Sequence, residues 1–345
     1  MRMKAIACYS KDIISRMNSS SGGIFFLLAR QVISRNGVVY AAVYTDNFNV
    51  EHCRIINEKD IEFAMGAKYA QSHLGNTYAN VKSDLENGKN VLFVGTPCQC
   101  GGLKSFLNGK DKGMIYVDFI CHGVPSHKVL EKYLTEVSKN EKIISLNMRD
   151  KTTGWEYYSY SWKYITASGK EAVIKSHKVP YMKGFSSNLF LRPSCYNCCF
   201  KGINRLTDLT LADFWGVETQ MPRMSDNKGT SLILIHSDLG NEIINSISTY
   251  IVAKEADSYS ALKRNPSALY SAQYNKKRDI FFGLFDNDEN CTNLINDLTK
   301  QSTYQRILGK VRKYMNTIKK NPGRYDNKIS CLALNSHLQR WEVWA

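Results

Sequence analysis

The chain has 345 residues and a mass of 39.3 kDa, which is enough for one large domain or two ordinary ones. Hydrophobic residues make up 43% and charged residues 22%, a composition that excludes wholesale disorder. The 46 Lys and Arg residues outnumber the 31 Asp and Glu residues and give a net charge of +15. This charge favours an acidic partner: an anionic cofactor, an acidic protein, nucleic acid or a membrane surface.

The sequence shows neither a membrane span nor a secretion signal. Its longest apolar run, residues 22–29, is far shorter than the roughly 20 residues that cross a bilayer. The N-terminus lacks an apolar region and a cleavage site, so we expect a cytoplasmic protein. In a reducing cytosol the ten cysteines are not expected to form disulfides, and clusters among them indicate metal or redox chemistry.

The N-terminal part alternates helices and strands. Serines at 19–21 precede apolar residues at helical spacing from Ile24 to Val32, and Gly37 ends this helix. Further runs predict strands and helices in the order: strand 38–44, helix 78–85, strand 90–94, helix 103–107, strand 114–120 and helix 129–137. Strands alternating with helices at this spacing predict a mixed α/β fold with a partly parallel sheet.

The remainder has a different character. Residues 143–179 are rich in aromatic residues that alternate, which predicts antiparallel strands. A helix over 182–190 and short strands over 209–214 and 231–236 follow, and the chain then becomes polar and helical. Residues 300–324 carry eight Lys or Arg and no Asp or Glu. Apolar residues at helical spacing predict a basic helix there, with one face lined by Ile307, Leu308, Val311, Met315 and Ile318.

The cysteines give the strongest chemical signal. Cys195 and Cys198 form a C-x2-C pair, which places two thiolates on one tight turn around one metal centre. Cys98 and Cys121 each follow a predicted strand, and parallel neighbours would bring both thiols to the same carboxyl edge. Four thiolates there suit a [4Fe–4S] cluster or structural zinc. The alternative for Cys98 and Cys121 is that each is a small buried hydrophobic residue.

The other six cysteines are not expected to be ligands. Four are isolated, and two are adjacent to the proposed ligands; they are Cys8, Cys53, Cys291, Cys331, Cys100 and Cys199. His122 is next to Cys121 and could act as a base or as a ligand. The alternative is a turn histidine with a structural hydrogen bond.

Three further segments have polar or aromatic character. The serines and glycines at 19–23 precede a helix, so their N–H groups form either an anion site for a cofactor pyrophosphate or an ordinary N-cap. Residues 66–72 present Lys, Tyr and Gln beside a glycine and are a weak candidate for holding a phosphate or ring edge. A third set of acidic, aromatic and glycine residues either lines the site of a planar ligand or belongs to the core; it consists of Asp208, residues 213–216 and residues 227–230.

Two segments suggest nucleic acid or a membrane, but each has a simpler explanation. The aromatic run at 155–164 could stack on sugars or bases, yet its spacing is more typical of a sheet face. The basic segment 300–324 lacks a recognised nucleic-acid motif, so no nucleic-acid partner is expected. The segment is predicted to be a solvated helix that contacts a partner. Peripheral contact with a membrane is the alternative.

Six motifs together resemble the coenzyme F420 hydrogenase/dehydrogenase β-subunit family, over about residues 5–285. They are SSSGGIFFLLA, GAKYAQS, VLFVGTPCQCGGL, VDFICHGVPS, GFSSNLFLRPSCYNC and DLTLADFWG, in the family's order. The resemblance implies a flavoprotein that binds FAD and one [4Fe–4S] cluster. It would pass electrons between the flavin and the cluster, and between the cluster and a deazaflavin such as coenzyme F420 or another acceptor. The implied cluster ligands are Cys98, Cys121, Cys195 and Cys198. The implied FAD-binding residues are Ser20, Ser21, Gly22, Gly23, Gly66, Lys68, Tyr69, Gly95, Thr96 and Pro97.

The chain also departs from this family. It shows no ferredoxin-like segment of closely spaced cysteines, so electrons are expected from a separate redox protein, such as a ferredoxin-like or hydrogenase/dehydrogenase subunit, or from a small donor. Cys100 replaces a usual aliphatic residue and Ala212 a usual glycine. Bacterial relatives suggest a role in surface-polysaccharide biosynthesis. The alternative is a non-redox transferase or binding module of polysaccharide assembly, with structural zinc or no metal.

The sequence divides into three predicted regions. Residues 1–88 form an N-terminal α/β region that contributes to FAD binding, and residues 89–255 carry the cluster cysteines. Residues 256–345 form a helical basic tail.

Overall fold

The computed structural model describes residues 3–46, 48–156, 159–287 and 290–300. Met1–Leu298 form one compact unit and Thr299–Ala345 a second. Nearly all of the predicted basic helix at 300–324, together with Cys331, Tyr157 and Tyr158, lies outside the described residues. The predicted boundaries near residues 88 and 255 stay predictions. No helix in the described part of the chain has the length and apolarity that crossing a bilayer requires.

The fold is a mixed α/β arrangement of two sheets and surrounding helices, as predicted. The strands are β1 (Lys4–Ser10), β2 (Val38–Tyr44), β3 (Val50–Ile55), β4 (Ser72–His73), β5 (Val91–Gly95), β6 (Met114–Phe119), β7 (Ile143–Asp150), β8 (Ser161–Thr166), β9 (Glu171–Lys175), β10 (Leu209–Asp213), β11 (Ser231–Ile235) and β12 (Ile251–Ala256). The helices are α1 (Ile13–Asn18), α2 (Ile24–Ser34), α3 (Ile61–Ala64), α4 (Thr77–Glu86), α5 (Pro97–Leu107), α6 (His127–Val137), α7 (Pro180–Ser186), α8 (Val217–Gln220), α9 (Asp238–Ser246), α10 (Ser258–Leu262), α11 (Arg278–Phe285) and α12 (Cys291–Thr299).

The larger sheet has nine strands in the order β12-β1-β11-β10-β6-β5-β2-β3-β4. Strands β2, β5, β6 and β10 pair in parallel, while β11 is antiparallel to both β10 and β1. Strand β1 therefore runs in the same direction as the parallel set. The carboxyl ends of β1, β2, β5, β6 and β10 all lie at one edge of this sheet.

Both faces of the larger sheet are buried. On β2, Val39 and Ala41 pack into a cluster with α2 and α9, whereas Val38 and Tyr40 pack into another with α4 and α5. Successive strand residues point to opposite faces, so helices cover the sheet on both sides. This explains why the strand is a continuous apolar run rather than an alternating one.

Helix α2 shows how local sequence defines an element. Leu27 and Leu28 are fully buried, and each contributes roughly 1.5–3 kcal/mol by leaving water. The helix ends where Asn36 takes a left-handed conformation with φ of 59° and the Gly37 N–H donates to the Val32 carbonyl at 2.9 Å. Gly37 was predicted to end the helix, and Asn36 supplies the turn.

The smaller sheet, in the order β7-β8-β9, is antiparallel, as the aromatic alternation predicted. Trp162 of β8 packs against Tyr133 of α6 and Tyr181 of α7, with ring centroids 6.0 and 5.5 Å apart. Phe281 of α11 joins the same core cluster. The aromatic residues of β8 at 162 and 164 thus form a sheet face packed on helices.

Candidate functional site

Cys98 and Cys121 lie at the same edge of the larger sheet. Cys98 follows β5 by three residues and Cys121 follows β6 by two. The two strands are parallel neighbours, with Gly95 opposite Asp118. The prediction that two adjacent parallel strands deliver these residues to one carboxyl edge is therefore confirmed by the pairing of the strands.

Helix α5 begins next to Cys98 for local reasons. Thr96 is the N-cap and forms a reciprocal capping box with Gln99, and Pro97 occupies the first helical position. The Thr96 hydroxyl also lies 3.1 Å from the Cys98 sulfur. The turn between strand and helix thus presents an exposed thiol beside a hydroxyl that can donate to it.

The Cys195–Cys198 turn packs against the loop that follows β6. It is a short 3-10 turn, Pro193–Asn197, in which the Cys195 N–H donates to the Arg192 carbonyl at 2.9 Å. The Val124 N–H donates to the Cys195 sulfur at 3.3 Å. The C-x2-C pair and Cys121 therefore come from segments that are hydrogen bonded to each other.

The four cysteines are close enough to interact electrostatically. Burial raises the pKa of the Cys121 thiol to about 12, Lys201 opposes this rise, and Cys98, Cys195 and Cys198 add to it. Burial also raises the pKa of Cys195, and again Cys98 and Cys198 add to the effect. Within the described residues, no three His, Cys, Asp or Glu side chains are spaced to hold a single metal ion.

A cavity of about 230 Å³ adjoins Cys98 at this edge. Of the residues predicted to hold FAD, Lys68, Gly95 and Thr96 line it. Its other lining residues come from β2 to β6, from the loop after β6 and from the segment after α7, and include His52, Ser72, His73, Phe119, Val124 and Arg192. Gly66, Tyr69 and Pro97 adjoin these residues along the chain without lining the cavity.

Lys68 and His52 give the cavity wall its polar character. Burial lowers the pKa of Lys68 to about 7, and its Nζ donates to the Met65 carbonyl at 2.9 Å. Burial also lowers the pKa of His52 to about 4, so its ring is neutral at pH 7. His52 Nε2 lies 3.0 Å from the Val94 carbonyl, which can only accept, so Nε2 carries the proton.

Ser20, Ser21, Gly22 and Gly23 lie at the same sheet edge but not in this cavity. The Gly22 N–H donates to the Ser231 hydroxyl at 2.9 Å. A Cβ on Gly22 would lie 2.6 Å from the Cys8 carbonyl oxygen, so only glycine fits there. Gly23 is the N-cap of α2 with φ of 85°, a left-handed conformation that glycine adopts freely.

Sequence reasoning missed Arg149, which connects the segments predicted to hold FAD. Its guanidinium donates to the Tyr69 hydroxyl at 3.2 Å, to Asp213 at 2.9 Å and to the Ser20 carbonyl at 3.3 Å. The Arg149 side chain is only 4% exposed, and its Nε has no hydrogen-bond partner among the described residues. The only sequence signal was a basic residue near the end of a strand that is otherwise half-apolar.

Lys151 was missed as well. It is buried, and its Nζ donates to the carbonyls of Ser21, Arg16 and Lys228 at 2.5, 2.6 and 2.8 Å. Burial lowers its pKa to about 7. Lys151 thus anchors the segment before α2 to the loop before β11.

The remaining candidates have structural partners. His122 Nε2 lies 2.6 Å from Asn188 Oδ1, and Nδ1 lies 3.2 Å from the Ser267 hydroxyl, which is the arrangement of a hydrogen-bonded turn histidine. Asp208 accepts from the Tyr116 N–H at 2.8 Å. Trp215 stacks on Trp155 with ring centroids 5.0 Å apart.

A family model for the C-terminal part of the coenzyme F420 hydrogenase/dehydrogenase beta subunit matches residues 88–258, which contain all four cysteines of the quartet. Through this segment the chain belongs to the coenzyme F420 hydrogenase/dehydrogenase β-subunit family. The relation to hydrogenase and dehydrogenase subunits assigns it to the oxidoreductases at that coarse level.

The fold of this F420 hydrogenase/dehydrogenase β-subunit relative is similar to that of solved structures. One is a chain of the F420-reducing [NiFe] hydrogenase complex from Methanosarcina barkeri, with a TM-score of 0.54 and 16% sequence identity. The similarity covers 77% of this chain and 89% of that chain. No curated protein matches the chain significantly.

Proposed function

We propose that the protein is an oxidoreductase that binds FAD and one [4Fe–4S] cluster and passes electrons between them. The observation that supports this most is the convergence of Cys98, Cys121, Cys195 and Cys198, which come from three separate segments, beside a cavity at one sheet edge. Four thiols with few other ligands near them suit iron–sulfur chemistry.

The donor set suits a cluster. Iron–sulfur clusters are held by four cysteine thiolates, which is the number of thiols brought together here. These thiols influence each other's pKa, so they are near neighbours in the folded chain. Structural zinc is the alternative that metal analysis of the purified protein distinguishes.

One of the thiols already has a hydrogen-bond donor that would serve a cluster, and a second lies beside a hydroxyl. Cys195 accepts from the Val124 N–H, and Cys98 lies beside the Thr96 hydroxyl. Donors to the sulfurs stabilise the negative charge of the ligands and raise the reduction potential of iron–sulfur centres. These contacts come from the loops that directly follow β6 and β5.

The cavity and its surroundings suit part of a flavin nucleotide. At about 230 Å³ the cavity is smaller than the roughly 300–1,000 Å³ of a site that encloses a whole drug-sized ligand, so we propose that it receives one part of FAD. Lys68 would supply positive charge to an anionic group. Ser20–Gly23 and Tyr69, joined by Arg149, would contact the remainder along the same edge.

FAD, when bound, would accept two electrons and release them one at a time, which matches an iron–sulfur cluster that accepts single electrons. The chain contributes positioning and exclusion of water. Arg149 holds Tyr69 at a set distance from Ser20, and Lys151 fixes the segment before α2. His52 remains neutral and ties β3 to β5 behind the cavity.

The experiment that tests the cluster compares two cysteine variants. Protein purified without oxygen is analysed by visible and EPR spectroscopy, with iron and acid-labile sulfide measured per chain. Cys195→Ser should lose most of the iron and sulfide, whereas Cys199→Ser, the adjacent exposed thiol, should retain them. Equal iron in both variants, or a colourless wild type that contains zinc or no metal, would contradict the proposal and favour the non-redox transferase or binding module.

The electron acceptor and the partner follow from the resemblance alone. We propose coenzyme F420 or another small acceptor as substrate, and a redox protein or small molecule as donor. The role in surface-polysaccharide biosynthesis stays a prediction, because no contact in the described residues bears on it.

A further inference from the structure

Lys201 lies beside the cysteine quartet, three residues after Cys198. Its side chain is half-buried, and its Nζ donates to the carbonyls of Cys121 and Ser267, the latter at 2.8 Å. The first acceptor is the backbone carbonyl of a proposed ligand, and the second belongs to the short 3-10 turn Pro266–Ala268. The ammonium group is therefore fixed in position rather than free in solvent.

No carboxylate neutralises this ammonium among the described ion pairs, none of which includes Lys201. Both acceptors of its hydrogen bonds are neutral carbonyls. The hydrogen bond to the Cys121 carbonyl places the ammonium next to the backbone of a proposed ligand. The thiols of Cys121, Cys198 and Cys195 interact favourably with its charge, whereas Arg205 interacts unfavourably.

We propose that Lys201 is a cation that balances the charge of the thiolate quartet and thereby raises the reduction potential of the iron–sulfur cluster held there. The inference rests on the proposed function and adds to it a residue that controls the cluster's potential.

The physical reason is the charge that accumulates on reduction. The cluster gains one electron from a reductant and loses it again on oxidation, with no bond formed or broken. Each reduction adds one negative charge, and a cation held nearby in a partly buried site stabilises the reduced form more than the oxidised form. Removal of the cation should therefore make the potential more negative.

Three substitutions separate the charge of Lys201 from its hydrogen bonds. Lys201→Arg keeps both, Lys201→Gln keeps N–H donors without the charge, and Lys201→Met removes both. Lys104→Met is the matched control, because Lys104 is an exposed lysine of α5 whose Nζ likewise donates to a backbone carbonyl, that of Leu206, at 3.4 Å.

The measurement is an EPR-monitored redox titration of the anaerobically purified full chain, with dithionite as reductant and with iron and sulfide determined for each variant. At a fixed solution potential, Lys201→Gln and Lys201→Met should lower the ratio of reduced to oxidised cluster about tenfold, which is a shift of about 59 mV for a one-electron couple. Lys201→Arg and Lys104→Met should titrate like the wild type.

The remaining outcomes distinguish a requirement for the charge of Lys201 from a requirement for its size or hydrogen bonds. Loss of the cluster in the Gln and Met variants but not in the Arg variant also supports a requirement for the charge. A wild-type potential in Lys201→Gln, or loss of the cluster in Lys201→Arg, would overturn the inference, since the lysine would then act only through its size or hydrogen bonds. A wild type that assembles no cluster refutes the proposed function itself, and this inference with it.

Discussion

Arg149 offers the sharpest test of how the site is held together. Arg149→Met removes an ion pair to Asp213 at 2.9 Å and the hydrogen bonds to Tyr69 and Ser20. The side chains of Arg149 and Asp213 are 4% and 18% exposed, so the carboxylate would be left largely buried without its ion-pair partner. Breaking a buried pair in this way costs about 3–5 kcal/mol.

The assay is urea unfolding of wild type and variants at pH 7, followed by fluorescence. Lys163→Met is the control, because its ion pair with Glu171 at 3.0 Å is more exposed, at 31% and 49%, and should be worth no more than about 1 kcal/mol. Adding Asp213→Asn to Arg149→Met removes the uncompensated charge and should recover about 1–2 kcal/mol.

The Arg149→Met variant should also bind FAD more weakly, because Tyr69 and Ser20 lose their common partner. A loss of stability below about 1 kcal/mol in Arg149→Met would refute the reasoning. So would a further loss, instead of a recovery, when Asp213→Asn is added, since the carboxylate would then not be the source of the cost.

Three further predictions follow from single residues. Burial raises the pKa of Asp118 to about 6, so the folded state holds this proton more tightly than the unfolded chain does. The free energy of unfolding should therefore fall by about 2 kcal/mol between pH 4 and pH 7 relative to Asp118→Asn. A difference between the two proteins that does not change with pH in urea unfolding would contradict this. Lys68, with a pKa of about 7, should take up a proton when an anionic cofactor binds. FAD affinity should therefore decline above pH 7 in the wild type but not in Lys68→Arg. Calorimetry in two buffers that shows no proton uptake on binding would count against this. Gly22→Ala would place a Cβ 2.6 Å from the Cys8 carbonyl oxygen and should lower the free energy of unfolding by about 1–3 kcal/mol. In Gly283→Ala the new Cβ meets open space in a helix, so this variant should be neutral or stabilised by up to about 1 kcal/mol. Thermal unfolding measures both, and equal melting temperatures for the two variants would refute the packing argument.

The strands that position the cysteines could be predicted because their sequences are continuous apolar runs with glycine or turn residues at their ends. β5 and β6 are such runs, and both are buried on two faces. Their parallel pairing follows from the helix between them, α5, which provides the crossover. The shared edge of Cys98 and Cys121 was therefore accessible from local pattern alone.

Strands β1, β3, β4 and β12 were not predicted, and for β1 and β12 long-range pairing explains why. β1 lies between β11 and β12, whose residues are more than 220 positions away in the chain. β12 is the edge strand at that end of the sheet and is polar on its exposed side, so the region after Tyr250 was interpreted as helical. Similarly, helix α7 ends at Ser186, short of the predicted residue 190.

The charged residues of the site could not be identified from sequence. Arg149, Lys151 and Lys201 look like ordinary surface residues among 46 Lys and Arg. Only the tertiary structure shows that Arg149 and Lys151 are buried and that the Lys201 ammonium donates to the Cys121 carbonyl. The position of Ser20–Gly23 at the same edge likewise depends on β1, for which the sequence provided no clear pattern.

The central claim is tested most directly by the stoichiometry of the protein as isolated without oxygen. Iron, acid-labile sulfide and acid-released flavin are measured per chain on one sample. The account predicts about four iron, about four sulfide and one FAD. Zinc in place of iron, or a chain with neither iron nor flavin after anaerobic reconstitution with both, would contradict it.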